Sequence, residues 1–273
     1  MLAANAAIEW FPAEVGAKRF GEWLENNIDW AISRDRYWGT PLPIWRCEGC
    51  LATDLVPSRA ALLERGADVP SDLDLHRPFI DRITFPCGQC AATMRRVPEV
   101  VDVWFDSGAM PFAQWHYPFE NRERFDLSFP ADFISEGIDQ CRGWFYSLLA
   151  ISVAVTGKSP YRRCLVNGHV LDAAGQKMSK HKGNTVDPWD PLGKEGADAV
   201  RWYLMVNSPP WLPTRFDRTG VTEVARKFLG TLRNVASFFA VYANIDDWRS
   251  SGPAAAADTS WPEVPVVERP LID

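Results

Sequence analysis

The chain has 273 residues, of which 47% are hydrophobic and 23% charged, and a net charge of −6. That size allows one large domain or two modest ones with a buried core, and the acidic balance gives no overall basic field for nucleic acid, so any RNA contact has to be local. The longest apolar run, 144–155, is interrupted by Ser147 and Ser152 and is too short to span a bilayer; with no basic stretch leading into an apolar one at the start, neither a signal peptide nor a membrane partner is expected.

In chain order, Phe20, Trp23 and Leu24 fall at helical spacing within 16–27, which predicts a short amphipathic helix. Residues 29–34 read as a strand, stopped before Pro41 and Pro43. From 45 to 97 the chain is rich in loop residues, with one short helix predicted at 58–65. The apolar run 99–105 reads as a compact strand and 132–135 as another. A helix is predicted from 139 to 155, ending at Gly157, a suitable residue for a left-handed cap. Residues 163–166 give a third strand, followed by a polar loop to about Asn184, and 197–206 a further helix. Strands alternating with helices imply an α/β fold with a parallel sheet. Beyond Thr219, Val221, Val224, Phe228, Leu232, Val235 and Phe239 recur at three- and four-residue steps, the pattern of one long helix in a bundle. The last stretch, rich in Pro, Ala and Ser, reads as a linker.

Four of the six cysteines form two CxxC pairs, Cys47/Cys50 and Cys87/Cys90, with 36 residues between them. Two such knuckles can complete a tetrahedral shell of four thiolates, a donor set that selects zinc over magnesium or calcium and leaves no open position for water. A structural Zn²⁺ is expected, in a reducing compartment and by default the cytoplasm; four unmetallated buried cysteines are the alternative. Gly49 and Gly88 are expected to permit the knuckle turns. Cys141 and Cys164 have no partner at ligand spacing and read as small core residues.

Lys177, Lys180 and Lys182 crowd six residues of the polar loop after the third strand. Such a run is either a solvated basic surface or a clamp for polyphosphate, in which ammonium groups meet charge spreading in a phosphate-displacement transition state. No glycine-rich Walker loop is present, which excludes an ordinary P-loop NTPase. The wording Lys177-Met178-Ser179-Lys180 resembles the second signature of class I aminoacyl-tRNA synthetases, with His181 where a second serine is usual. The resemblance implies ATP with Mg²⁺ as substrate, Lys177, Ser179 and Lys180 as its ligands, and Lys177 and Lys180 as the catalytic pair.

The run from Ser135 to Phe145, SEGIDQCRGWF, sits where a strand hands over to a helix, the edge of an open parallel sheet at which ligands bind. Together with 101–108 (VDVWFDSG) and 29–39 (DWAISRDRYWG) it resembles the isoleucyl-tRNA synthetase family. That resemblance implies that Glu136, Gly137 and Asp139 contact the aminoacyl-adenylate, that Gln140 helps hold the substrate ammonium, and that Trp104 and Trp144 wall the aliphatic pocket. It implies isoleucine, ATP and tRNA(Ile) as partners, and a monomer at full length. Valyl or leucyl relatives are the nearest alternatives, and a non-catalytic zinc-ribbon RNA-binding module a more distant one. The acidic residues of 47–90 argue against the last, since they outnumber the arginines there.

Class I synthetases carry a first signature, His-x-Gly-His, yet none of His76, His116, His169 and His181 lies three residues from another. A pocket for isoleucine rejects valine only weakly, which the family answers with a hydrolytic editing domain for which the chain shows no room. The chain therefore reads as a fragment, expected to be inactive alone. Its expected organisation is 1–44 re-entering the catalytic core, 45–98 a zinc-knuckle insertion, 99–218 the second half of a Rossmann-like catalytic domain, 219–249 the first helix of an anticodon-side bundle, and 250–273 a linker.

Overall fold

The structure, a computed structural model, describes residues 1–249; the expected linker at 250–273 lies outside them. The chain divides into two compact units, Met1–His169 with Pro209–Thr214, and Val170–Ser208 with the residues from Arg215 onward. No helix among the described residues is long and apolar enough to cross a membrane.

The first unit is built on a parallel sheet of three strands in the order Glu9–Phe11, Arg163–Asn167, Ile134–Gly137. The α/β expectation holds here. Cys164 and Val166 on the central strand are fully buried with Trp10, Phe20, Phe145, Leu148 and Leu149; each such large side chain contributes about 1.5–3 kcal/mol by leaving water. Cys141 joins the same cluster, so both unpaired cysteines are core residues. Tyr161, equally buried, donates from its hydroxyl to the Phe145 carbonyl at 3.2 Å, which satisfies its one polar atom.

Several expectations change in this unit. The run 99–105 does not form one strand. Only Val100–Val101 is extended; Asp102 then caps a helix, Val103–Ala113, by accepting from the Trp104 amide. A short acceptor side chain at that point satisfies an orphan helical donor, and capping outweighs the β preference of the valines. The helix predicted over 139–155 is broken: Ile138–Arg142 is a tight 3₁₀ turn, and the α-helix runs Trp144–Thr156. It stops as expected at Gly157, with φ 72°. The strand read at 29–34 is extended at Ser33–Arg34 alone.

The knuckle region forms a four-stranded antiparallel sheet, in the order Thr53–Leu55, Ile44–Cys47, Thr93–Arg96, Thr84–Pro86. It has its own core of Trp45, Leu62, Ile80, Phe85 and Met94. The chain enters and leaves this region through two paired antiparallel strands, Ser33–Arg34 and Val100–Val101. The predicted helix appears as Arg59–Glu64, capped by Ser58.

In the second unit Ala197–Val206 is helical as predicted, and Ala199, Tyr203, Phe216 and Val221 make a small core. The long helix after Thr219 is interrupted: Arg218–Glu223 and Gly230–Ile245 are α-helical, and Val224–Leu229 is a π turn between them. Its apolar stripe is buried at Val221, whereas Leu232, Val235 and Phe239 are exposed.

Candidate active site

Glu136 and Gly137 end a strand of the parallel sheet, so they stand at its carboxyl edge, paired in register with Val166 and Asn167. Asn167 donates its Nδ2 to Ser135 Oγ at 3.0 Å, tying this edge together. Asp139 and Gln140 follow on the 3₁₀ turn. The Gln140 amide is fixed at both ends: Nε2 donates to Asp139 Oδ2 at 3.0 Å, and Oε1 accepts the Trp144 amide at 3.0 Å. On the continuous helix predicted over 139–155, Gln140 and Trp144 would lie one turn apart on one face. Instead Gln140 stands outside the helix and satisfies its first donor, one of the unpaired amides every helix start presents.

The two indoles are tied to one helix. Trp104 lies in the first turn of Val103–Ala113, and Trp144 donates its indole N–H to the Ser107 carbonyl of that same helix at 3.2 Å. The helix packs on Trp144–Thr156 at Gly108, where a Cβ would fall 2.7 Å from the Ser147 carbonyl. Glu136 and Asp139 are exposed, while Gln140 and Trp144 are half-buried. The structure thus gathers Trp104, Gln140 and Trp144, with Asp139 hydrogen-bonded at their margin.

One residue missed by sequence reasoning organises this region. Asp102 is buried; its Oδ1 accepts from the Trp104 amide at 2.9 Å, and its Oδ2 accepts from the Trp30 indole at 3.2 Å and pairs with Arg34. A buried carboxylate needs such partners. An acidic residue immediately before a run that turns helical was the available signal.

The lysine loop belongs to the second unit. Lys177 and Lys180 are exposed, Ser179 is half-buried, and Met178 packs against the small core. Ser179 caps the single turn Lys180–Lys182, accepting from the Lys182 amide, and its own amide donates to Asn184 Oδ1 at 2.9 Å. Asn184 in turn donates to Asp172 Oδ2 at 2.8 Å, while Asp172 Oδ1 accepts the Gln176 amide at 2.7 Å. The Asn184 amide leads the causes that hold the Asp172 carboxyl below the usual carboxylate range, followed by the Gln176 amide. The loop is closed by Gly175 and Gly183, at φ 80° and 64°, where a side chain would be strained.

The four knuckle cysteines converge, their sulfurs all within 4.8 Å of one another. Cys47 and Cys90 stand 3.4 Å apart and Cys50 and Cys87 3.7 Å. A tetrahedral zinc with bonds of about 2.3 Å requires sulfurs roughly 3.8 Å apart, so the donor set fits that ion. The Cys50 amide, donating to the Cys47 sulfur, is the leading cause that lowers the Cys47 thiol to about 6. At Cys50 the Ala52 backbone favours the thiolate, but hydrogen bonds with Cys47 and Cys90, together with burial, push it up to about 12.

Gly49 serves the knuckle by space, since a Cβ there would meet that of Ala92 at 2.9 Å. Gly88 faces open space, and neither glycine has the positive φ that tight turns favour. The left-handed residues are Leu51 and Ala91, each one step past its second cysteine.

Residues 1–217 match the family described as class I tRNA synthetases (I, L, M and V), which agrees with the fold and defines the class. The isoleucine–tRNA ligase of Clostridium acetobutylicum is 57% identical over 242 residues, 89% of this chain and 23% of that protein. The enzyme of the same name from Clostridium tetani is 56% identical, covering 90% of this chain and 24% of that protein. A leucyl-tRNA synthetase from Agrobacterium radiobacter, solved with tRNA and LeuAMS, shares the fold with a TM-score of 0.59 at 22% identity, over 85% of this chain and 31% of that one. The chain belongs to the isoleucine–tRNA ligase family, a family of ligases, and spans about a quarter of the length of the curated relatives it matches.

Proposed function

We propose that this chain carries the amino-acid slot, the ATP loop and the zinc knuckle of an isoleucine–tRNA ligase, which forms isoleucyl-adenylate from isoleucine and ATP and passes the isoleucyl group to tRNA(Ile). In this reading Trp104 and Trp144 are the walls of the isoleucine side-chain slot, since two flat indoles brought together by one helix offer an apolar surface. Gln140 and Asp139 take the substrate ammonium, which needs a carboxylate or amide partner once out of water, and Glu136 and Gly137 lie along the adenylate. Lys177, Ser179 and Lys180 hold the phosphates with Mg²⁺ while the isoleucine carboxylate attacks the α-phosphorus and pyrophosphate leaves. Cys47, Cys50, Cys87 and Cys90 hold a structural Zn²⁺. The organisation expected from the sequence, including the knuckle insertion at 45–98, is part of the same proposal, as is a cytoplasmic location.

The observation that carries this reading is the gathering of Trp104, Gln140 and Trp144 beside the carboxyl edge of the parallel sheet. Titration of the chain with non-hydrolysable isoleucyl-, valyl- and leucyl-sulfamoyl adenosine tests it. Preference for the isoleucyl compound is expected; equal affinity for all three, or a preference for another, overturns the assignment. The isolated 273-residue chain is expected to show no useful isoleucine-dependent ATP–pyrophosphate exchange, and robust exchange contradicts that part.

A further inference from the structure

We propose that Gly143 is a specificity-determining position that sets the width of the amino-acid slot by letting the Trp104 indole lie directly on the backbone. The inference rests on the reading of Trp104 and Gln140 as substrate-facing. Gly143 is buried between the 3₁₀ turn and the helix that begins at Trp144. A Cβ built on it would stand 3.0 Å from Cη2 and 3.3 Å from Cζ3 of Trp104, and 2.8 Å from Oε1 of Gln140. Its φ of −148° is negative, with ψ −115°, so the position does not call for a left-handed backbone.

The neighbours differ in their freedom to yield. The Gln140 amide is committed through both its atoms, to Asp139 and to the Trp144 amide; moving it breaks two hydrogen bonds. The Trp144 ring is committed to the Ser107 carbonyl. Trp104 is held through its backbone amide by Asp102, and the residue is 41% exposed. A methyl group at residue 143 is therefore relieved chiefly by moving the Trp104 ring. The atoms it meets, Cη2 and Cζ3, belong to the part of the indole that a phenylalanine lacks. One missing side chain thus supports one wall of the slot and leaves the amide beside it undisturbed.

The experiment uses the 273-residue chain with isoleucyl- and valyl-sulfamoyl adenosine as probes, read by calorimetry, and ¹⁵N-indole NMR without ligand. Gly143→Ala is expected to shift the Trp104 indole signal, leave that of Trp10 in place, weaken the isoleucyl probe about tenfold, a common cost of overpacking, and change the isoleucyl-to-valyl ratio. Adding Trp104→Phe is expected to return the ratio to that of Trp104→Phe alone. If Gly143→Ala leaves the indole signal and both affinities unchanged while Trp104→Phe alters them, the inference falls and the reading of the slot stands. If Trp104→Phe also leaves both affinities unchanged, or the unaltered chain binds neither probe, the reading fails and takes the inference with it. Should Gly143→Ala lose its cooperative melt, the double variant decides: it must fold and bind as Trp104→Phe does, and a double variant that does neither overturns the proposal.

Discussion

The cysteine knuckle and the lysine loop look alike as sequence, both short, polar and rich in turn residues, yet they are held by different forces. The knuckle closes over an apolar core in which Trp45 is nearly inaccessible and donates its indole N–H to the Ile83 carbonyl at 2.9 Å. Its two halves repeat one backbone device: the Cys47 and Cys87 carbonyls accept from the Leu51 and Ala91 amides at 3.2 and 2.9 Å. In the lysine loop the side-chain hydrogen bonds converge on Asp172 and Asn184, and only Met178 reaches a core. The first arrangement fixes a shape; the second shapes a backbone while leaving its lysine side chains exposed. Irregular structure serves rigidity in one place and access in the other.

Metal removal is the strongest way to break this comparison. The chain is expected to carry close to one zinc per molecule. Stripping it should loosen the knuckle region as seen by hydrogen exchange, with the amides of the parallel sheet still protected, because structural zinc in small peptides contributes about 10–16 kcal/mol of apparent binding energy. A metal-free chain with unchanged exchange there would show that the apolar core suffices. Trp45→Ala probes that core directly, and a loss of about 3–5 kcal/mol, the usual cost of emptying so large a site, is expected in denaturant melts. A change near zero would mean that the sulfurs alone hold the module.

On the loop the expected effects are kinetic. In any form of the protein that makes isoleucyl-adenylate, Lys180→Ala should slow that step about 10²–10³-fold, roughly 3–4 kcal/mol, by analogy with a lost oxyanion donor. Isoleucine affinity and the melting temperature should change little, since the side chain is exposed. Equal losses in rate and in isoleucine binding would remove the clamp role.

The same contrast explains what the sequence made legible. Four cysteines at ligand spacing announce their convergence because two CxxC pairs suit the ligation of one ion, and the strand at 163–166 and the helix at 197–206 follow from local patterning. The helix that carries Trp104 was hidden because Val100, Val101 and Val103 prefer strands, and only the capping by Asp102 reverses them. The break at Gly143 was hidden for another reason: a glycine inside an apolar helical pattern costs little enough to be overlooked, while its purpose depends on Trp104, distant in sequence. Asp172 stayed invisible as a loop anchor because its partner, Asn184, is twelve residues away. Spacing reveals sites that a single ligand organises; it does not reveal which side chains hold the scaffold around them.

Asp172 gives the smallest effect and the sharpest separation of the two regions. Its carboxyl is held below the usual carboxylate range by the Asn184 and Gln176 amides, with the Lys182 charge contributing less. Between that lowered value and the ordinary one near about 4, the unfolded loop binds more protons than the folded one. The contribution to order is therefore complete above the ordinary value, declines as pH falls through the window, and vanishes below the lowered value. Proton exchange at the Gln176 and Ser179 amides, corrected for the intrinsic acid dependence, should show this loss in the unaltered chain. Asp172→Asn retains an acceptor but not the titrating charge, so its loop should be looser near neutrality and indifferent to the same change in pH. An acid response that persists in Asp172→Asn would assign the effect to another group, and the loop would then owe its shape to the two glycines and Asn184 without the carboxylate.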